Sequence, residues 1–519
     1  VKRFVLLAVL LAAISVLGAS RSQLVSPDAT GRLVYKPTTT GDTILDFSNC
    51  GYAGGGVKIL DVPVKATLQP AATGDDTARI QQAIDAVAKQ APGAVLLAHG
   101  RYRVGGQLKI AASGVVLRGE GNSESGTVLI ATGKSVRHLI DVGGTTRIAE
   151  SSREKTAITD DRVPVGARSF QVRDASGLRA GDTVFVSRIG NQEWIHFIGM
   201  DQIKPVKGER DLTQWSAFAL KFDRVIAAVS GNRITLDAPL ACAVEARWGG
   251  GEVWKYRDTR IEQVGVENLY AISEFDPRKT ERQGNRPYHS DEEHASGIID
   301  FGKVKNAWAR NLTAVHFCHG VVQFGGESKW ITVQDCRALD PVSQITGGRR
   351  YPYSIGGQLL LVQRCYSRGE RHAFAVGARV CGPNVFLDCF SEQDYACSEP
   401  HHRWSVGGLY DNVQGQISFA DRGAMGSGHG WAGANYVAWN CRGSLTCEQP
   451  PTAQNYAIGF VGKKREGPFK RKDGFWESHG QHVEPRSLYL KQLEERLGIG
   501  ALKNIGAPVG TVVSRPRSS

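Results

Sequence analysis

The sequence predicts an all-β protein, a parallel β-helix in which each turn of the coil holds several short strands. Three observations predict it. Strand-forming runs follow one another closely between glycines, at 94–98, 102–104, 107–110 and 115–118. Distant segments align as repeats: Trp330-Ile331-Thr332-Val333-Gln334-Asp335-Cys336 matches Leu360-Leu361-Val362-Gln363-Arg364-Cys365, Val385-Phe386-Leu387-Asp388-Cys389 and Val437-Ala438-Trp439-Asn440-Cys441. A short helix precedes the first strands. Asp75-Asp76-Thr77 offers N-cap side chains, Ile80, Ala83, Ile84 and Val87 follow at helical spacing, and Gly93 ends the segment.

The repeats set the cysteine reading. Stacked turns lie about 4.8 Å apart, the strand-pairing distance. Cys336, Cys365, Cys389 and Cys441 therefore fall in one column, expected as a buried thiol ladder rather than a metal site, since no CxxC pair accompanies them. Cys441 and Cys447 are close enough in sequence to pair, which spacing alone does not decide.

Residues 1–20 read as an export signal. Lys2 and Arg3 precede an apolar run over 4–17, and Gly18-Ala19-Ser20 supplies small residues for cleavage. The run is too short for a good membrane span. A secreted or periplasmic protein is expected, with no membrane contact after cleavage. The formal net charge of +12 becomes +10 without Lys2 and Arg3. Two readings of that excess stand side by side. It suits an anionic polymer, and an acidic polysaccharide rather than nucleic acid is the partner expected outside the cytoplasm. It also suits a generally basic surface, because much of it sits in Lys463-Lys464-Arg465 and Lys470-Arg471-Lys472.

The segment Gly74-Asp75-Asp76-Thr77-Ala78-Arg79-Ile80-Gln81-Gln82-Ala83-Ile84-Asp85 resembles the opening motif of β-helices of the pectate lyase superfamily. Gly100-Arg101-Tyr102-Arg103-Val104 and Val115-Val116-Leu117-Arg118-Gly119-Glu120-Gly121 resemble their first turns. The resemblance implies a right-handed coil with the helix as an N-terminal cap. It says little of the reaction, because the superfamily holds lyases, hydrolases, epimerases and binding proteins.

Five divisions are expected: the signal at 1–20, cap and first turns at 21–155, an inserted β-rich module at 156–254, the main turns at 255–462, and a tail at 463–519. In that tail Tyr489, Leu493 and Leu497 suggest a short helix covering the open end of the coil. Trp194 and His196 fall on a long loop of the module.

A second alignment places the chemistry. Gly347, Gly377 and Gly407 recur every 30 residues, and in that register His372 falls over His402 and Arg349 over Arg379, with His429 near the next position. Arg350, Tyr351, Arg371, His401, Arg403 and Trp404 flank them. Alternation along a strand could instead turn the histidines inward with Phe374 and Trp404. So many cations are costly to hold together without an anionic partner.

Such a cluster suits β-elimination on a uronate. The C5 proton lies α to a carboxylate, and arginines facing that carboxylate stabilise the charge that develops. His402 is the expected base, with His372 next and Tyr351 as acid. Arg349, Arg350 and Arg403 neutralise the carboxylate, while Arg371, Arg379, His401 and His429 bind. Trp404 and Trp431 stack on sugars or sit in the core. No cofactor is required. Ca²⁺, which superfamily lyases often use, could gather Glu392, Asp394 and Glu399, whereas Asp291-Glu292-Glu293 reads as a solvated loop. Two rivals remain. A glycoside hydrolase would place two carboxyl groups across the scissile bond. A non-catalytic glycan-binding envelope protein is the other, and an export signal argues against a phage tailspike. The polymer, its linkage and the oligomeric state are not legible.

Overall fold

The computed structural model describes residues 20–146, 148–150, 154–206 and 212–507. The expected export signal lies outside the described residues except for Ser20, which pairs in parallel with Val483. Among the described residues no helix is long and apolar enough to cross a membrane.

Three parallel sheets run along a right-handed β-helix. One turn passes from Lys329–Gln334 in the first sheet to Arg337–Leu339 in the second and Tyr353–Ile355 in the third. The next passes through Leu361–Gln363, Tyr366–Arg368 and Phe374–Val376 and pairs with it strand for strand. Register then stacks like positions. Val333, Val362, Phe386, Tyr410 and Ala438 lie over one another on the inner face of the first sheet, all buried in one core. Burying each large member stabilises the coil by roughly 1.5–3 kcal/mol.

The corner from first to second sheet needs a left-handed residue in every turn. Asn311, Asp335, Arg364, Asp388, Asn412 and Asn440 supply it, with φ between 51° and 56°. Asn and Asp dominate because their short polar side chains tolerate that region. The residue after each corner turns inward, which puts Cys336, Cys365 and Cys389 in three consecutive turns and Cys441 two turns on, with Val413 between. All four thiols are buried and free. Cys441 and Cys447 do not pair: they stand at opposite ends of the extended run 441–447, about 20 Å apart.

The Thr77–Ala88 helix buries Ile80, Ala83, Ile84 and Val87 in the same core. Asp75 rather than Asp76 accepts the first helical N–H, from Thr77 at 2.7 Å. Asp76 instead accepts from Arg79 at 2.5 Å and from the Arg103 backbone at 3.2 Å.

Strands between 149 and 257 leave the coil as an antiparallel sheet whose long members are Thr183–Gly190, Phe218–Ser230 and Glu252–Arg257. A buried joint fixes it to the coil. Asp223 accepts from Lys329 at 2.6 Å, Tyr256 at 2.6 Å and Arg260 at 2.8 Å, while Arg224 donates to the Gly382 carbonyl at 2.7 Å. Removing one partner of such a buried network leaves an uncompensated charge.

The Leu488–Leu497 helix lies along the flank of the coil, not over its open end. The outer column of the first sheet, Leu361, Val385, Leu409 and Val437, is apolar and would otherwise face water, and the helix and residues 44–50 cover it. The Tyr489 hydroxyl donates to the Cys50 carbonyl at 2.8 Å, and the Phe47 N–H donates to Gln492 at 2.8 Å.

Because Phe386 fills the inner column between Val362 and Tyr410, Phe386→Ala is expected to lower the unfolding free energy by about 3–5 kcal/mol in denaturant titration. A change below 1 kcal/mol would contradict a packed interior there.

Candidate active site

Four successive turns build one polar cluster at the leading edge of the third sheet. Tyr353 pairs with Phe374, so Tyr351 and His372, each two residues earlier, occupy the same position in neighbouring turns. The Val376–Pro400 bridge brings in Glu399, His401 and His402, and the Asp421–Trp431 bridge ties down the segment carrying Arg422 and His429. Ring centroids are 4.9 Å apart for Tyr351 and His372, 4.6 Å for His372 and His401, 4.9 Å for His401 and His429, and 5.0 Å for His402 and His429.

Glu399 is the buried anion at the centre. Its Oε1 lies 2.8 Å from Arg422, 3.0 Å from His401 Nδ1 and 3.1 Å from His372 Nδ1. His372 Nδ1 also donates to the Cys397 carbonyl at 2.6 Å, which leaves Nε2 without the proton and, among the described residues, without a partner. His401 Nε2 lies 3.3 Å from the Tyr351 hydroxyl, and Arg371 donates to that hydroxyl at 3.3 Å.

Burial and neighbouring cations keep the histidines neutral. His372 is lowered to about 3 by burial; His401 to about 2 by burial with Arg422 and His402. His402 falls to about 4 through burial with Arg403, and His429 to about 2 through burial with Arg422. Burial pushes the Tyr351 phenol up, against the opposing pull of Arg371 and Arg422. The cluster thus holds a protonated phenol beside unprotonated imidazoles.

A polar column on the outer face of the third sheet leads toward this cluster. Lys109, Asp141, Asp300, Gln323 and Ser354 pair in register across five turns. Asp141 and Asp300 therefore stand side by side, about 4.8 Å apart at the backbone. Burial raises both carboxyls, and Asp300 adds to the rise at Asp141. His138, in the same strand as Asp141, and His319 are each lowered to about 4 by burial, and the His319 and Tyr351 rings are 6.2 Å apart.

The 30-residue alignment does not survive. The pairing offset is 21 residues from Tyr353 to Phe374 and 25 from Cys381 to Val406. Loop length between strands varies, so equal spacing in sequence is not stacking. Tyr351 and His401, not Arg349 or His402, are the neighbours of His372. Arg349 pairs with Glu292. Arg350 turns away and is buried, donating to the Ser343 carbonyl at 2.6 Å and the Gly369 carbonyl at 3.1 Å. Arg379 lies over the Phe218 ring at 4.2 Å, and Arg403 donates to Ser427 at 3.0 Å. Trp404 and Trp431 are 0% and 4% exposed, so neither presents a face to a sugar. The module covers them: Trp194 meets Trp404 edge-on at 4.9 Å, and Met200 lies 3.4 Å from the Trp431 N–H.

The expected calcium carboxylates do not converge. Glu392 accepts from Tyr366, Asp394 from Ser391 at 2.5 Å, and Glu399 from the cations named above. Asp291, Glu292 and Glu293 are held by Lys279 and Arg349. Among the described residues His372, Glu399 and His401 have ligand atoms within 4.8 Å of one another. The Arg422 guanidinium already fills the space beside Glu399 and His401, and one carboxylate is a poor oxygen set for Ca²⁺. Glu399 and Arg422 are the members whose roles sequence reasoning missed. Glu399, two residues before His401, was the legible signal.

No family model matches the chain, and no curated protein matches it. Its likenesses among solved structures include tailspike proteins, a polygalacturonase and a mannuronan epimerase, which share the right-handed parallel β-helix fold. A tailspike of Acinetobacter baumannii bacteriophage AP22, solved with a capsular saccharide, is 12% identical with a TM-score of 0.40, over 77% of this chain and 57% of that one. The tailspike of E. coli bacteriophage HK620, solved with a pentasaccharide, is 10% identical with a TM-score of 0.39, over 78% and 56%. Polygalacturonase from Erwinia carotovora ssp. carotovora is 10% identical with a TM-score of 0.29, over 82% and 98%. The chain spans little more than half the length of the two tailspikes.

The neutral histidines give a pH expectation. Each has its folded value below the unfolded 6.5, so below pH 6.5 the unfolded chain binds more protons and stability falls as pH drops toward 4. Asp394, raised to about 7 by burial, works in the opposite direction. The comparison is therefore between variants: His402→Gln is expected to flatten the decline in melting temperature between pH 6.5 and 4 relative to the parent. Parallel profiles would mean His402 is not held neutral.

Proposed function

We propose that the chain is an exported enzyme that cleaves an acidic, uronate-containing polysaccharide by β-elimination. One observation carries this reading: burial drives a phenol and an imidazole of the same cluster in opposite directions, leaving Tyr351 protonated and His402 unprotonated at neutral pH. Such a divergence assigns acid and base. His402 takes the C5 proton, the C4–oxygen bond breaks as the C4–C5 double bond forms, and Tyr351 protonates the leaving oxygen. Arg371 and Arg403 face the uronate carboxylate, where the developing charge is greatest. Glu399 and Arg422 hold His401 in place between the two reacting side chains. His372 and His429, packed around His401, wall the cluster.

With a uronate polymer, the unsaturated product is read by its ultraviolet absorbance. Tyr351→Phe and His402→Gln are each expected to lower kcat by about 10²–10⁴-fold while polymer binding persists. Parent-rate elimination by both variants sinks the assignment. A base lowered to about 4 also places the acid limb of kcat/KM near pH 4, because activity is lost only as His402 protonates. An acid limb near 6.5 would name a different base.

A second reading rests on Asp141 and Asp300. Two adjacent carboxyls with raised proton affinity suit hydrolysis, in which one donates a proton and the other is ionised. New reducing ends without ultraviolet absorbance, abolished by Asp300→Asn, would favour it.

A further inference from the structure

The outer face of the second sheet carries a pattern that the cluster does not use. Its residues pair in one unbroken row from Arg101 through Val128, Tyr270, Thr313, Arg337, Tyr366, Phe390 and Gln414 to Arg442. Nine rungs separated by eight steps of about 4.8 Å make a track of roughly 38 Å. Arginine recurs every fourth rung, so Arg101, Arg337 and Arg442 stand about 19 Å apart. All three are exposed. Among the described residues none has a carboxylate partner, whereas Arg368 and Arg103 in the parallel row are paired with Asp340 at 2.7 Å and Glu274 at 3.1 Å. Between Arg101 and Arg337 the rungs Val128, Tyr270 and Thr313 are buried, whereas between Arg337 and Arg442 two half-buried aromatic rings, Tyr366 and Phe390, precede Gln414. The Tyr366 and Phe390 rings meet at 41° with centroids 5.6 Å apart, and Arg337 lies 5.5 Å over the Tyr366 ring. A cleft of about 480 Å³ opens at one end beside Arg101 and Phe275.

We propose that this face is a second, non-catalytic binding track for an extended anionic polysaccharide. Evenly spaced unpaired guanidinium groups match a polymer that repeats its carboxylates, because each can meet one in the bidentate fork. Half-buried aromatic rings present flat apolar faces on which pyranose rings stack. A straight row in register suits a straight polymer better than a folded partner, whose surface would need relief. The track lies on a different sheet from Tyr351 and His402, so one chain can be held there while another reaches the cluster. From the proposed function this takes only the anionic character of the polymer.

The test is affinity electrophoresis of the full chain through gels containing polygalacturonate or alginate, with dextran as the neutral control. The combined variant Arg101→Ala, Arg337→Ala, Arg442→Ala is expected to bind the anionic polymer about tenfold more weakly at low salt. Added salt should erase the difference. Tyr351→Phe should be retarded like the parent whether or not elimination occurs, which separates this proposal from the catalytic reading. The proposal is overturned if neither anionic polymer retards the parent, if dextran retards it equally, or if the triple variant migrates as the parent does. A change of oligomeric state in the triple variant by light scattering would also overturn it, by making the face an interface between copies.

Discussion

Parallel, in-register pairing is the constraint on which everything else here depends. Each turn can satisfy its backbone only by lying directly over the last, so a residue type placed at one position must tolerate its own neighbours above and below. Apolar columns gain from this and form the core. Corner positions need a left-handed residue in every turn, which is why Asn and Asp recur there. Arg364 is the exception, and it stands where its guanidinium can grip Asp335 of the preceding turn at 2.7 and 2.9 Å.

The same constraint makes the cluster chemically unusual. Stacking brings His372, His401, His402 and His429 to ring contact within four turns, and Arg371, Arg403 and Arg422 arrive with them. Water would normally let such groups all be charged. Burial does not, and the arginines cannot give up their protons, so the histidines do. One carboxylate, Glu399, is left to meet several donors. The result is a cluster in which arginines stand beside imidazoles whose lone pairs are free, His372 Nε2 among them.

What was legible in the sequence follows from which features are local. The helix at 77–88, the short strands and the corner cysteines are fixed by neighbours within a few residues, and the repeat of Asp335-Cys336, Arg364-Cys365 and Asp388-Cys389 announces its own register. Loops carry no such signal. The offset across the third sheet is 21 residues at Tyr353 and 23 at Gly297, so a spacing of 30 between glycines meant nothing in space. The tryptophans failed for a different reason. Trp404 and Trp431 lie outside the inner core of the coil, and the distant residues Trp194, Met200 and Trp215 cover them. Arg422 carried no readable signal, because its role depends on where Glu399 ends up.

The three sheets meet solvent on different terms, and that division shapes the whole molecule. The first sheet has an apolar outer column and is sealed by residues 44–50 and the Leu488–Leu497 helix. The third carries carboxyls and leads to the buried imidazoles. The second keeps arginine side chains in the open beside half-buried aromatic rings. A coil whose faces were alike would have edges and flanks equally prone to association. Here one flank is spent on stability, which frees the other two to carry polar residues that add little to it. The inserted module acts on the same division: Asp223 and Arg224 anchor it to the coil, and its tryptophans brace the turns from which His402 and His429 project. The edge that carries the cluster is built from loops, and those bearing His402 and His429 are held both by the turn beneath and by Trp194 and Trp215 of the module.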